Sequence, residues 1–144
     1  MIFPLSESET DDLIGLLAQE GLPTADVPGD VRLYGLKAGE GVHAYGGLEV
    51  RGGSALLRSI LVPAADRGQG HGKKLVRELN EEARSLGLSE IWLLTETAAS
   101  FFSALGFIHR SREEAPTAIQ SIEEFSALCP DSAICMSFRL AAPP

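Results

Sequence analysis

The chain reads as one α/β domain built on a mixed central sheet of about six to seven strands flanked by helices. Three observations lead there. Three β-prone runs, Val31 to Lys37, Val42 to Val50 and Ser54 to Val62, are separated only by short glycine turns, the pattern of antiparallel hairpins. The third run passes through a glycine-rich loop into an amphipathic helix, and the apolar strand Glu90 to Thr95 follows that helix. A strand, a helix and a further strand joined by short loops imply a right-handed crossover and a parallel pair. The composition, 144 residues with 44% hydrophobic and 22% charged, suits a single globular unit spanning 1–144.

In chain order, Ile2 to Leu5 reads as a short edge strand limited by Pro4. A helix follows with Ser8 as N-cap, Asp11 in the capping-box position and Leu13, Leu16 and Leu17 at helical spacing, until Gly21 ends it. Leu22 to Gly29 is a loop, and the three-strand meander comes next. The helix from Lys73 to about Leu86 gathers Leu75, Val76, Leu79, Ala83 and Leu86 on one face, with Arg77, Glu78, Glu81 and Arg84 opposite. Ala98 to Leu105 is a second short helix, and a strand runs from Phe107 to Arg112. Around Pro116 the chain is irregular; Ser121 and Glu124 then form a capping box for a helix to about Leu128, which Pro130 stops. Ala133 to Leu140 is the last strand.

A net charge of −8 argues against nonspecific nucleic-acid binding. No apolar run approaches the ~20 residues of a membrane span, and the N-terminus turns acidic at once, unlike a signal peptide. With only Cys129 and Cys135 and no export signal, a reduced cytoplasmic setting is expected. Against the acidic whole, Arg67, Lys73, Lys74 and Arg77 form a local basic spot, which suits a small polyanion better than a polymer.

That spot surrounds Arg67-Gly68-Gln69-Gly70-His71-Gly72. Glycine permits positive φ and close backbone approach, and the first amides of the following helix lack intrahelical partners. Strand, loop and helix start together make a phosphate seat. The NTPase loop does not fit, because Lys74 stands where its hydroxyl residue belongs and Arg67 where its first glycine belongs. The dinucleotide fingerprint fits poorly, since either Gly-x-Gly runs on to Leu75 or Lys73 instead of a third glycine.

Arg67-x-x-Gly70-x-Gly72, directly after a strand ending in Val62-Pro63, resembles the acetyl-CoA pyrophosphate loop of the GNAT N-acetyltransferase superfamily. Ala99-x-Phe101-Phe102-x-x-x-Gly106-Phe107 resembles a second motif of that superfamily, and the element order matches across nearly the whole chain. Within it, Leu22-Pro23-Thr24-x-Asp26, Leu56-Leu57-Arg58-Ser59, Leu93-Leu94-Thr95-x-Thr97-Ala98, Arg112-x-x-Ala115-Pro116-x-Ala118-Ile119 and Leu128-Cys129-Pro130-x-Ser132-Ala133 resemble the arsenic-resistance branch.

The resemblance implies a GNAT fold whose parallel fourth and fifth strands splay apart, with acetyl-CoA as cosubstrate and no metal. Pantetheine would run along Ile60, Leu61 and Val62 and past Ser100 and Phe102. The pyrophosphate would sit on Arg67, Gly68, Gln69, Gly70, His71, Gly72 and Lys73. Direct transfer to an amine needs a base, a group polarising the thioester and an acid for the thiolate. Glu49 is the expected base. Many relatives carry a tyrosine acid where Phe102 stands, so Thr95, Thr97, Ser100 or water must serve, with Thr95 preferred, or the thiolate leaves unaided.

Arg58 interrupts an apolar strand, where an unpaired charge is costly. Its planar fork suits a substrate carboxylate; a structural salt bridge with Glu49 is the alternative. The expected function is N-acetylation of a small amino acid or amino-acid-like toxic compound, arsenicals included, by a monomer or homodimer. A catalytically weak acetyl-CoA sensor and a protein or peptide acetyltransferase are the alternatives. Cys129 and Cys135 read as ordinary free cysteines rather than arsenical ligands.

Overall fold

A computed structural model describes the chain from Met1 to Leu140 except residues 23, 25, 26, 28, 40, 123, 124 and 127–131; residues 141–144 are likewise outside the description. Its elements are β1 (Ile2–Pro4), α1 (Glu7–Gln19), β2 (Val31–Ala38), β3 (Gly41–Arg51), β4 (Ser54–Leu61), α2 (His71–Ser85), β5 (Glu90–Thr95), α3 (Ala99–Ala104), β6 (Ile108–His109), α4 (Thr117–Gln120) and β7 (Ile134–Arg139). Single 3₁₀ turns lie at Ala64–Asp66 and Arg112–Glu114.

The strands form one seven-stranded sheet in the order β1-β2-β3-β4-β5-β7-β6. The meander is antiparallel, β4 and β5 are parallel, and β7 inserts antiparallel between β5 and β6. The mixed α/β architecture is the expected one.

Several boundaries differ for local chemical reasons. The first helix is capped by Ser6 rather than Ser8: Ser6 Oγ accepts the Glu9 amide at 3.1 Å, and the Glu9 carboxylate accepts the Ser6 amide at 3.0 Å. That reciprocal box favours Glu, whose side chain reaches the cap better than Asp11 does. The second long helix starts at His71 instead of Lys73, because Gly70 at φ 82° turns the chain one residue before it. The sixth strand is only two residues long. Ser111 and Glu114 form a capping box of their own there and start a 3₁₀ turn. Cys129 and half of the expected 121–128 helix, Glu124 of its capping box included, lie outside the described residues.

Alternation along β4 and β5 sends side chains to two opposite cores. Leu57, Ile91 and Leu93 pack with Leu75, Val76 and Leu79 of α2. Leu56 and Trp92 pack with Ile119 of α4, and Leu61 packs with Leu13 and Leu17 of α1. Gly46 lets α2 sit on the backbone of β3: a Cβ there would come within 2.6 Å of Ile60 Cδ1 and 2.9 Å of Leu79 Cδ1.

The site is created where β4 leaves its parallel neighbour. The two strands pair only from Ser54 to Leu56 against Glu90 to Trp92. Beyond Trp92, β5 continues along β7 alone, to Thr95 opposite Ile134. On its other side β4 bulges. Tyr45 faces Leu61 and Gly47 faces Arg58, so three steps of β4 answer two of β3. A bulge of this kind kinks and twists its strand, and here it turns β4 away from β5.

Candidate active site

Between the diverging ends lies a cleft of about 900 Å³. One wall is Leu56–Leu61 of β4 with Val62 after it, the other Leu93–Thr95 of β5 with Glu96, Thr97 and Ala98 after it, and Phe101 and Phe102 of α3. Its floor continues to Asp66, Arg67, Gly68, Gly70, His71, Gly72 and Lys73, and Leu17, Glu20, Gly21 and Leu22 close the α1 side. Of the expected cofactor contacts, Ile60, Leu61, Val62, Arg67, Gly68, Gly70, His71, Gly72, Lys73 and Phe102 are brought together here. Gln69 and Ser100 are exposed and do not line it. Phe101 takes the position expected of Ser100; its ring would lie 3.6 Å from a Cβ on Gly72.

The glycine loop has the geometry of an anion seat. Gly68 and Gly70 take φ of 80° and 82°, values that L side chains rarely adopt. The chain then enters α2, whose first-turn amides and dipole favour negative charge. The Arg67 guanidinium is poised over this end: Nε donates to the Val62 carbonyl at 2.9 Å, and Nη2 donates to Glu20 Oε1 at 2.5 Å. The Arg67–Glu20 pair joins the loop to the end of α1 and is about half exposed on both sides.

Glu49 and Arg58 form a different kind of pair. Arg58 Nη1 donates to Glu49 Oε1 at 2.8 Å, and Arg51 Nη2 donates to Glu49 Oε2 at 2.6 Å. Each carboxylate oxygen therefore holds a guanidinium. The Arg58 side chain is wholly shielded from solvent and that of Glu49 nearly so. Arg58 borders the cleft, whereas Glu49 is not among the described residues that line it. The expected base is thus committed to two arginines. Of the two readings of Arg58, the cross-hairpin salt bridge is present.

Near the point of divergence, Thr95 Oγ1 accepts the Ala98 amide at 3.0 Å, which leaves its hydroxyl hydrogen for the cleft. Phe102 is buried, edge-on to Phe107 at 5.5 Å between ring centres, and offers no proton. Ser59, in the bulge, has no site role in the sequence reading, where it stands only within Leu56-Leu57-Arg58-Ser59. It takes φ 57°, the one positive φ at a non-glycine among the described residues. That conformation costs about 1–2 kcal/mol for an L residue.

Among the described residues, His43, Asp66 and His71 are the group whose donor atoms could meet on a cation, all within 4.8 Å. The His43 and His71 rings stack at 4.9 Å, and His43 Nδ1 lies 2.6 Å from Asp66 Oδ1. Two ligands on one zinc would stand roughly 3.3 Å apart given its bond lengths. The arrangement is that of a hydrogen-bonded cluster bracing the 3₁₀ turn and the start of α2.

A family model described as an acetyltransferase (GNAT) domain matches residues 29–109. The chain belongs to that family. The matched span runs from the meander through the glycine loop, α2, β5 and α3 to β6. Solved structures share the whole fold at low identity. N-acetylglutamate synthase from Neisseria gonorrhoeae, solved with coenzyme A and N-acetyl-glutamate, superposes with a TM-score of 0.79 at 16% identity over 98% of this chain. The GNAT chain covers only 35% of that synthase, about a third of its length. A GNAT-family acetyltransferase from Staphylococcus aureus Mu50 gives 0.76 at 17% identity, covering 98% of this chain and 99% of that one. The ribosomal-protein-S18-alanine N-acetyltransferase of Escherichia coli gives 0.75 at 17%, covering 100% and 96%. Among the described residues of this GNAT domain, no helix is long and apolar enough to cross a membrane.

Proposed function

We propose that the protein transfers the acetyl group of acetyl-CoA directly to the amine of a small amino acid or amino-acid-like compound. The observation that carries this reading is the cleft between β4 and β5, which ends on the glycine loop and the start of α2. In it the pyrophosphate rests on the loop amides from Gly68 to Lys73, and Arg67 exchanges Glu20 for a phosphate oxygen. Pantetheine lies along the unpaired edge of Ile60, Leu61 and Val62, hydrogen-bonding as an added strand.

The amine nitrogen attacks the thioester carbon, the carbonyl π pair moves to oxygen, and collapse expels the thiolate with the C–S pair. The thiolate leaves as the anion or takes a proton that originates in water, which the Thr95 hydroxyl can relay by accepting one proton as it gives one, since Phe102 has none to give. Glu49, held by Arg51 and Arg58, is replaced as base by Glu96, a carboxylate that lines the cleft beside Thr95. It receives the ammonium proton directly or through water.

The acceptor class rests on the resemblance together with the partly apolar cleft wall at Leu56, Leu57 and Leu94, whose shape Arg58, held by Glu49, helps to fix. The scattered resemblance to the arsenic-resistance branch makes amino-acid-like arsenicals acceptors worth testing. Phe102 supports one second reading, an acetyl-CoA sensor with little turnover. The test is thiol release from acetyl-CoA against a panel of free amino acids, phosphinate and arsenical analogues and a basic peptide, with an acceptor-free control. Release with one small acceptor is the expected result. Release with the peptide alone would move the assignment to protein acetylation, and none at all, with acetyl-CoA still raising the Tm, to the sensor.

A further inference from the structure

Ser59 carries two unfavourable features at once, and the bulge accounts for the positive φ but not for a serine there with an unsatisfied hydroxyl. Eight glycines take the positive-φ positions among the described residues, and Ser59 is the exception. Glycine at this position would hold the same bulge without strain. Its hydroxyl oxygen, moreover, is shielded and has no hydrogen-bond partner among the described residues. Buried hydroxyls are normally satisfied, and an orphan calls for an explanation. The residue is 8% exposed, lines the cleft, and lies three positions beyond Leu56, the last β4 residue paired with β5. Strained, unsatisfied residues cluster where a ligand completes the site.

We propose that the Ser59 hydroxyl donates a hydrogen bond to the carbonyl oxygen of the bound acyl thioester. This rests on the acetyl-CoA reading above. The thioester oxygen is a weak acceptor in the bound state and gains charge as the N–C bond forms, when the carbonyl π pair moves onto it. A donor already fixed in a shielded wall then strengthens its bond without reorganisation. Thr95 Oγ1 already accepts the Ala98 amide, so Thr95 and Ser59 divide the work: one beside the leaving sulfur, the other on the carbonyl oxygen. The proton of Ser59 stays on its oxygen throughout. The bulge thereby supplies a side-chain donor as well as opening the strands.

The ligand comparison that isolates this contact needs no acceptor. Acetyl-CoA carries the acetyl group and CoA ends in a thiol, so the change in the ratio of their dissociation constants on substituting Ser59 reads the contact that Ser59 makes with the acetyl group. In Ser59→Ala that ratio should shift about three- to tenfold against acetyl-CoA, with CoA affinity unchanged. Infrared difference spectra of carbonyl-labelled acetyl-CoA should show the stretch moving to higher frequency in the variant. With an acceptor in hand, kcat should fall about 10²-fold. Ser59→Gly, which relieves the backbone, should have a higher Tm than the wild type and lose the same carbonyl contact. A wild-type ratio, carbonyl stretch and turnover in both variants would overturn the proposal while leaving acetyl-CoA binding intact. If the wild-type protein bound neither CoA nor acetyl-CoA, the cleft assignment itself would fail and Ser59 with it.

Discussion

Arg58 and Arg67 border one cleft and each is paired with a glutamate, but their surroundings differ. Arg58 is fully shielded, shares Glu49 with Arg51, and lies in the middle of a strand. Arg67 is half exposed and reaches Glu20 from a glycine loop. Removing one partner of a shielded pair strands a charge in a medium that solvates it poorly, so such pairs resist exchange. An exposed pair is worth little and exchanges readily. The first therefore fixes the shape of the cleft wall, and the second can release its guanidinium to an anion.

The largest effect that would break this comparison lies at Glu49. Glu49→Ala should lower stability by about 3 kcal/mol, or roughly 10 °C in Tm for a domain of this size. A near-normal Tm, measured by calorimetry, would mean that the shielded pair is not structural.

Arg67→Ala should do the reverse. Its Tm should stay within about 2 °C, while the Kd for acetyl-CoA should weaken by about tenfold, the value of a charge-assisted hydrogen bond. Calorimetric titration at two salt concentrations checks this.

The contrast between shielded and exposed groups extends to protons. Burial pushes the Cys135 thiol up to about 11, from 9.0. The unfolded chain thus ionises this thiol while the folded chain keeps it neutral, and stability is lost as pH rises from about 9 to 11. Below pH 9 the group contributes no slope. Burial also raises Tyr34 and Tyr45, so the measurement is the difference between wild type and Cys135→Ala in denaturant midpoints across that window.

The smallest effect belongs to Glu20. Glu20→Gln frees Arg67 of its competitor and should tighten acetyl-CoA about twofold, in keeping with the low value of an exposed pair. A weakened affinity would assign Glu20 to ligand binding instead.

What was legible in the sequence follows the same division. The glycine loop could be read because backbone demands select residue types: Gly68 and Gly70 stand where φ is positive. The helix behind it and the parallel pair were legible from periodicity and short connections. The splaying of β4 was implied by the family resemblance alone, and the position of its bulge was not legible, because Leu57-Arg58-Ser59-Ile60 carries no glycine to mark it. Ser59 was missed for that reason. The Arg67–Glu20 contact joins two distant elements, and no local pattern encodes it. Glu49 and Arg58 were visible as charges in apolar runs, but their meeting depends on the β3–β4 register, which puts Glu49 opposite Leu56 and Arg58 opposite Gly47. Phe101 lines the cleft and Ser100 does not, a difference of one helical position, since helix phase decides which side chain turns to the cleft.

The account depends most on where acetyl-CoA sits. Calorimetric titration of wild type and Gly70→Val with acetyl-CoA tests this directly, because a β-branched residue at φ 82° distorts the loop far from the acceptor end. The account predicts saturable one-to-one binding to the wild type and loss of at least tenfold in affinity in the folded variant, the equivalent of about 1.4 kcal/mol. Equal affinity in the two proteins, or no binding to either, would contradict it.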